Sequence, residues 1–358
     1  MKRLVIHAGM AKTGSSSIQE SLWRARDALA GEGVYYPDWQ PFNHSYELSA
    51  LFRANHKSGF LYRQLAPIDD AQWSQELLRL RQRWHAFLHD GGQGTYLISA
   101  ESLEHFPAAE LQGLVDFAAA GFDRVQVIIY VRHPRSAISS RFEQAVKQLR
   151  EPADPQALLA LAKKQAQFGL LRRWQKVRGV DDILVRPFDR GQFRDGQLVS
   201  DFLDALDMAG IVEAVPAQTA NTSLGRNAVA FLLGRNARFP VYTADGPNPQ
   251  RGLSSRQELF FRLIRAVEDD PLALDIRFTD EEARRINREI AFVNGFLPAQ
   301  SAFPAVEPSA CVTELPGPGD VSATFLSDLV NALAMELDRS LDERQLLAAA
   351  LEEARGQA

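Results

Sequence analysis

The first seventeen residues constrain this 358-residue chain more than any other stretch. An apolar run from Leu4 to Ile6 predicts a short buried strand. A loop rich in Gly, Ser and Thr follows, and a helical pattern begins at Ile18. Such a strand–loop–helix binds phosphate-like anions, because backbone N–H groups and the positive end of the helix dipole face the anion. The sequence therefore predicts an anion site near the start of the chain.

The position of Lys12 separates this loop from that of nucleoside triphosphatases. Their loop is G-x-x-x-x-G-K-[ST], in which the lysine follows the second glycine and the neighbouring hydroxyl binds Mg²⁺. Here Lys12 precedes Gly14 by two residues, and the loop contains no Gly-Lys-Ser/Thr sequence. We therefore expect an anion cradle that does not serve ATP and magnesium.

Composition and charge favour an ordinary globular protein and argue against several classes of function. The chain is 46% hydrophobic and 24% charged, as in ordinary globular proteins. Its net charge of −5 argues against nucleic-acid binding, which needs a basic surface. The single cysteine excludes an internal disulfide framework and fits a cytoplasmic location. No run approaches the ~18 apolar residues of a membrane helix, and no histidine spacing indicates a metal site, so we expect neither.

Strand-like and helix-like segments alternate along the first half of the chain. This order predicts an α/β fold of three layers around a central, mostly parallel sheet. The five predicted strands are Leu4–Ile6, Val34–Tyr36, Tyr96–Ser99, Val125–Val131 and Ile183–Phe188.

Three regions are expected along the chain: an α/β domain over residues 1–300, a Pro/Gly-rich linker over 301–320 and a helical appendage over 321–358. The appendage is predicted to contain two helices, Ala323–Leu337 and Asp342–Ala354. Apolar residues recur in the first of them at helical spacing. The appendage could pack back on the domain or join two copies in a homodimer.

A second motif follows the fourth predicted strand. Arg132 comes just past the end of this strand, where open α/β sheets bind ligands. Pro134 suits the first turn of the next helix. Ser140 lies eight residues after Arg132, about two helical turns along. A helix cap or a salt bridge would explain such an arginine equally well.

Taken together, the two motifs resemble the sulfotransferase family, whose sulfuryl donor is 3′-phosphoadenosine 5′-phosphosulfate (PAPS). The resemblance covers about residues 1–210, with weaker support from Leu97–Leu103 and Leu184–Asp189. It implies a P-loop-like fold, release of 3′,5′-diphosphoadenosine and no required metal. It also implies that the 3′-phosphate is held by Arg132 and Ser140, and the 5′-phosphosulfate by Lys12, Thr13, Gly14, Ser15, Ser16 and Ser17.

Sulfuryl transfer accounts for these residue types. Catalysis of such a reaction is mainly alignment and charge stabilisation, as in phosphoryl transfer. Lys12 would stabilise the leaving 5′-phosphate. Arg132, planar and permanently charged, suits a bidentate contact with the 3′-phosphate.

The acceptor hydroxyl needs a general base. The resemblance implies a His or Glu near the ends of the early strands. Glu101, after the third strand, is the first candidate, although an acid is also favoured at the start of a helix. His44, after the second strand, is the rival base. His7, at the end of the first strand, is expected to pack beneath the loop.

A late polar segment with Asn221 and Ser223 is expected to close over the cofactor, with a helix N-cap as the alternative for Ser223. The resemblance to bacterial members implies a carbohydrate or glycolipid acceptor, although a small-molecule acceptor is also open. Two rival functions remain: a nucleotide-dependent kinase with a degenerate loop, and a non-catalytic anion- or carbohydrate-binding protein on the same fold.

Overall fold

The computed structural model describes residues 1–58, 62, 69–147, 154–215, 223–239, 242–243, 246–247 and 254–356. Within them, five parallel strands form one sheet in the order β2-β3-β1-β4-β5. The strands are β1 (Lys2–Ala8), β2 (Val34–Tyr35), β3 (Gly94–Ala100), β4 (Arg124–Val131) and β5 (Asp182–Pro187). The predicted α/β class with a central parallel sheet and all five predicted strands are confirmed.

Thirteen helices occur among the described residues. They are α1 (Ser15–Arg24), α2 (Arg26–Gly31), α3 (Ser45–Phe52), α4 (Asp70–His89), α5 (Ala108–Ala118), α6 (Pro134–Lys147), α7 (Pro155–Lys164), α8 (Gly169–Trp174), α9 (Leu198–Ala205), α10 (Arg226–Arg238), α11 (Ser254–Ala266), α12 (Asp280–Asn294) and α13 (Ala323–Gly356). A small antiparallel pair, β6 (Tyr242–Thr243) and β7 (Gly246–Pro247), lies between α10 and α11 in sequence.

The central strand β1 is buried at all seven of its positions, which means that both faces of the sheet are covered. This burial explains why Leu4–Ile6, in the middle of the strand, is continuously apolar rather than alternating. On one face, Val5, Leu97 and Ile128 form a single core cluster with Ile18 of α1 and Phe202 of α9. That packing fixes the start of α1 against the sheet.

The strand order creates a topological switch point beside β1. The chain leaves β1 towards β2, which lies beyond β3, and it leaves β3 towards β4, on the other side of β1. The loops that follow β1 and β3 therefore diverge. In open parallel sheets, ligands bind in the crevice that such diverging loops leave at the carboxyl ends of the strands.

The chain forms two compact units, each built from separate segments. The first comprises residues 1–137, 166–220 and 278–308 and contains the entire five-stranded sheet. The second comprises residues 138–165, 221–277 and 309–358. The predicted boundaries at residues 300 and 320 stay a prediction; the observed units are interleaved along the chain.

The first part of the expected linker is packed on α12. The Asn294 side chain bonds both the N–H and the carbonyl of Phe303, at 2.8 and 2.9 Å. Asn287 does the same for Val306. Amide side chains of the helix thus supply the hydrogen bonds that a proline-containing segment lacks within itself.

The C-terminal appendage contains one long helix, α13, and the prediction of two helices is wrong. Neither Gly nor Pro occurs between Asp338 and Leu341, so nothing interrupts the helix there. Phe325 and Leu329 are buried, whereas Val330 is 62% exposed. Part of the apolar pattern therefore packs back within the second unit, and a homodimer through this helix stays a prediction. None of the described helices is long and apolar enough to cross a membrane.

Candidate active site

The loop between β1 and α1 is a tight turn with two left-handed residues. Lys12 has a φ of 66° and Gly14 a φ of 74°. A Cβ at Gly14 would collide with the side chain of Leu198, so only glycine fits there. The buried Thr13 hydroxyl donates to the Met10 carbonyl at 2.8 Å and closes the turn. The left-handed backbone of Lys12 is uncommon for a residue with a side chain, and such strain concentrates at functional sites.

The N-terminus of α1 receives no cap from its own sequence. Its N-cap is Gly14, no side chain makes a capping bond, and the first turn contains no acidic residue. The hydroxyl of Ser15 is buried and makes no hydrogen bond within the described part of the chain. Ser17 is also buried, whereas Ser16 is exposed. Amide donors, hydroxyls and the helix dipole are therefore arranged as an anion would require.

The two sequence motifs meet in the folded chain. Arg132, directly after β4, donates through Nη1 to the backbone carbonyl of Lys12 at 3.4 Å. Its Nε donates to Ser136 Oγ at 3.1 Å, and its guanidinium lies over the ring of Phe188 at 5.5 Å. The structure thus brings two cationic residues, 120 positions apart in sequence, to the same edge of the sheet.

Glu101 follows β3 and lies beside the anion loop. A Cβ placed on Gly9 would lie 3.3 Å from Glu101 Cα, so that glycine permits the two loops to approach closely. Burial and the neighbouring Glu104 raise the pKa of the Glu101 carboxyl, and Lys12 opposes this rise. Glu101 is the N-cap residue of a four-residue 3₁₀ helix (Ser102–His105) but makes no side-chain capping bond, so its roles as base and as helix-start acid both stay predictions.

His44 lies in the core. It is 0% exposed, and its Nδ1 accepts the N–H of Ser99 at 3.1 Å. Its ring packs against Tyr36 and Trp84. Burial, helped by Arg83, lowers the pKa of His44 to about 3, so the ring is neutral. His44 thus has no solvent-exposed surface, and its role as the rival base stays a prediction.

His7 lies beneath the loop, as the sequence predicts. It is 1% exposed and its Nδ1 is 2.7 Å from Ser99 Oγ. Burial lowers the pKa of His7 to about 3.

The remaining predicted site residues are Ser140, Asn221 and Ser223. Ser140 is half-buried on α6, in the second compact unit, and its part in a shared phosphate site with Arg132 stays a prediction. Asn221 lies outside the described residues. Ser223 is exposed, and the N-cap alternative for it is wrong: α10 begins at Arg226, and the Asp269 carboxylate accepts the N–H groups of Asn227 and Ala228. The start of α10 is thus capped by Asp269, which is distant in sequence, and not by the hydroxyl of Ser223.

Sequence reasoning missed Glu104. Its carboxylate accepts the N–H of Ala11 at 2.7 Å, so it binds the anion loop directly before Lys12. The only signal in the sequence was a second acid three residues after Glu101. Among the described residues, no group of three His, Cys, Asp or Glu side chains is placed to hold a metal ion.

No family model and no curated protein matches this chain. Two solved structures show a weak likeness. A sulfotransferase from Alicyclobacillus acidocaldarius is 16% identical, with a TM-score of 0.35, over 66% of this chain and 94% of the other. The sulfotransferase domain from the curacin biosynthetic pathway is 13% identical, with a TM-score of 0.35, over 81% and 98%. Values this low carry no argument about the activity of this chain.

Proposed function

We propose that this protein is a sulfotransferase that moves the sulfuryl group of PAPS to an acceptor hydroxyl by in-line displacement. The observation that carries the proposal is the contact between Arg132 and the carbonyl of Lys12. It joins the two motifs at the switch point of the sheet, where Glu101 also lies. One anion loop alone would support only phosphate binding. A second fixed cation beside it supports a donor with two separate anionic groups.

The donor would bind with its 5′-phosphosulfate on the β1–α1 loop. Among the described residues, no side chain caps this helix start and the buried Ser15 hydroxyl has no hydrogen-bond partner, which favours an anion there. Lys12, Thr13, Gly14, Ser15, Ser16 and Ser17 supply the amides, hydroxyls and charge. Arg132 would take the 3′-phosphate; the parts of Ser140, Asn221 and Ser223 in donor binding stay predictions from the sequence.

In the transfer step, the acceptor oxygen attacks sulfur and forms the new S–O bond. The bond between sulfur and the bridging oxygen of the 5′-phosphate breaks, and the electron pair stays on that oxygen, where Lys12 stabilises it. Glu101 takes the proton of the acceptor hydroxyl. Its raised pKa makes it a stronger base than an ordinary carboxylate. The leaving product is 3′,5′-diphosphoadenosine.

The same proposal includes a carbohydrate or glycolipid acceptor. It also includes a cytoplasmic location, which the single cysteine supports. Trp39, an aromatic residue after β2, adds no support for a sugar site. Trp39 and Trp84 both donate to the buried Glu47 carboxylate, at 3.1 and 2.7 Å, which gives these rings a structural role.

Ligand-dependent thermal stabilisation tests the proposal. A ligand at 100 times its dissociation constant stabilises a folded protein by about 2.7 kcal/mol. We expect 3′,5′-diphosphoadenosine to raise Tm without added metal, and ATP–Mg²⁺ to do so much less. Stabilisation by ATP–Mg²⁺ alone would favour a kinase. Binding of diphosphoadenosine without sulfate transfer from PAPS to any of a panel of sugars and lipids would favour a non-catalytic binder.

A further inference from the structure

Glu104 connects the two loops of the candidate active site. Its carboxylate accepts the N–H of Ala11 in the β1–α1 loop at 2.7 Å. Its own N–H donates to the carbonyl of Glu101 at 3.1 Å. A single residue therefore binds the backbone immediately before Lys12 and the backbone of Glu101.

The backbone of Glu104 is itself held in place. The guanidinium of Arg173, on α8, donates to the Glu104 carbonyl. The turn that carries Glu104 also contains Leu103, which is fully buried. The carboxylate thus projects from a fixed base, and a backbone N–H that donates to it is restrained in turn.

The restrained loop needs such an anchor. Lys12 adopts a left-handed backbone, which is unfavourable for a residue with a Cβ and persists only where its surroundings enforce it. The bond to the Ala11 N–H holds the Met10–Ala11 peptide unit, one residue ahead of Lys12. The same bond satisfies the Ala11 amide, whereas no side chain in the described part of the chain caps the amides at the start of α1.

From this geometry we propose that Glu104 is a positioning residue, which anchors the β1–α1 loop so that Lys12 and Glu101 face one reacting group. The inference rests on the proposed sulfotransferase function. As a positioning residue, Glu104 would act through Lys12 and Glu101 rather than by touching donor or acceptor.

The charge of Glu104 has a second effect. The charged groups that face Glu101 are Glu104 in its own turn and Lys12 in the β1–α1 loop, and Arg173 reaches the same turn through the Glu104 carbonyl. Glu104 raises the pKa of Glu101, and Lys12 lowers it. Removal of the Glu104 charge should therefore move the acidic limb of the rate profile to lower pH.

Two variants separate the anchor from the charge. Glu104→Gln keeps a carbonyl oxygen that can accept the Ala11 N–H but loses the charge, whereas Glu104→Ala loses both. Glu110→Ala is the matched control, because the Glu110 carboxylate likewise accepts a backbone N–H, that of Ala54 at 3.0 Å, and pairs with Arg53.

Amide hydrogen exchange reports on the anchor without any assumption about activity. We expect Glu104→Ala to accelerate exchange at Ala11 by about tenfold or more, and Glu104→Gln to leave it close to wild type. Glu110→Ala should accelerate exchange at Ala54 alone. Unchanged exchange at Ala11 in Glu104→Ala overturns the anchor, whatever the chain catalyses.

Steady-state kinetics with PAPS complete the test. Glu104→Ala should raise the KM for PAPS and lower kcat, together by about tenfold or more in kcat/KM. Glu104→Gln should keep KM and shift the acidic limb to lower pH. Equal effects of the two variants without a pH shift, or tighter diphosphoadenosine binding by Glu104→Ala, would contradict the positioning role. Failure of the wild-type protein to bind diphosphoadenosine would instead defeat the proposed function, while the exchange result would still decide the anchor.

Discussion

Two helix starts in the same compact unit, those of α1 and α12, are completed in opposite ways. In α12, the Thr279 hydroxyl accepts the Glu282 N–H at 3.2 Å, and the Glu282 carboxylate accepts the Thr279 N–H at 3.0 Å. Its first turn contains three acidic residues. In α1, no side chain caps the first turn and no acid lies in it, while Lys12 precedes it by three residues.

The start of α12 is capped within the chain and stabilises the fold, whereas the start of α1 is open to a ligand. The amides and dipole of α12 are satisfied by its own side chains, which stabilises the helix and repels other anions. The start of α1 leaves that stabilisation to be supplied from outside. Ser15 adds a buried hydroxyl without a partner among the described residues. Substitutions at the two helix starts and beside them test whether α1 binds an anion and α12 does not.

Replacement of Glu101, the acid beside the open helix start, should have the largest effect. Glu101→Gln should lower kcat by about 10²–10⁴-fold if this carboxylate takes the acceptor proton. The base must be deprotonated, so activity of the wild type should fall as pH drops through its raised pKa. The acidic limb should therefore lie above the ~4.3 of an ordinary glutamate and disappear in the variant. His44→Ala should instead lower Tm; a matching loss of rate in His44→Ala alone would transfer the base role to His44.

Loss of the cation that precedes α1 should come next. Lys12→Ala should lower kcat by about 10²–10³-fold, because the leaving phosphate loses its charged donor. The control is Lys176→Ala, which removes an exposed lysine outside the site. Near-normal turnover by Lys12→Ala, measured with PAPS and the best acceptor, would remove Lys12 from the leaving-group role.

An acid placed in the first turn of α1 should make it resemble α12. Ser16 is exposed at the second helical position, so Ser16→Glu should raise stability by about 0.3–1 kcal/mol. It should also weaken diphosphoadenosine binding by about tenfold or more through like-charge repulsion. Ala109→Glu makes the same change at the exposed second position of α5 and should leave binding unchanged. Equal affinity of Ser16→Glu and wild type in calorimetry would contradict an anion site at this helix.

Removal of the α12 cap should have the smallest effect. Thr279→Ala should cost about 1 kcal/mol of stability in urea unfolding, because one amide loses its acceptor. Diphosphoadenosine affinity should not change. A large loss of affinity would mean that the two helix starts do not differ in function as proposed.

Much of the fold follows from local pattern. The run from Val125 to Val131 is apolar at almost every position, and it forms a strand buried on both faces. Helix breaks were harder to predict. The stretch from Ser15 to Ala30 contains neither Gly nor Pro and has a continuous helical pattern. The structure nevertheless divides it at Ala25 into α1 and α2. Conversely, the C-terminal pattern suggested a break that α13 lacks.

In the candidate site, too, residues with a local signature could be predicted and residues that act through distant contacts could not. Lys12 and Arg132 could be identified from residue type and spacing, because an anion loop and an arginine after a central strand have local signatures. Glu104 could not, because its significance depends on a bond to Ala11, 93 residues away. Asp269 was missed as the cap of α10 for the same reason.

The family resemblance implied Glu101 and His44 as candidate bases, whereas the residue pattern itself specified the parallel α/β class and the anion loop with its lysine ahead of Gly14. Those features are encoded in periodicity, glycine placement and residue chemistry over short distances. Tertiary structure alone decided that Arg132 contacts the Lys12 carbonyl, that His44 is buried and neutral, and that Glu104 binds the loop. Each of these depends on which strands are neighbours. The order β2-β3-β1-β4-β5 brings the ends of β1, β3 and β4 together, and no local pattern specifies that order.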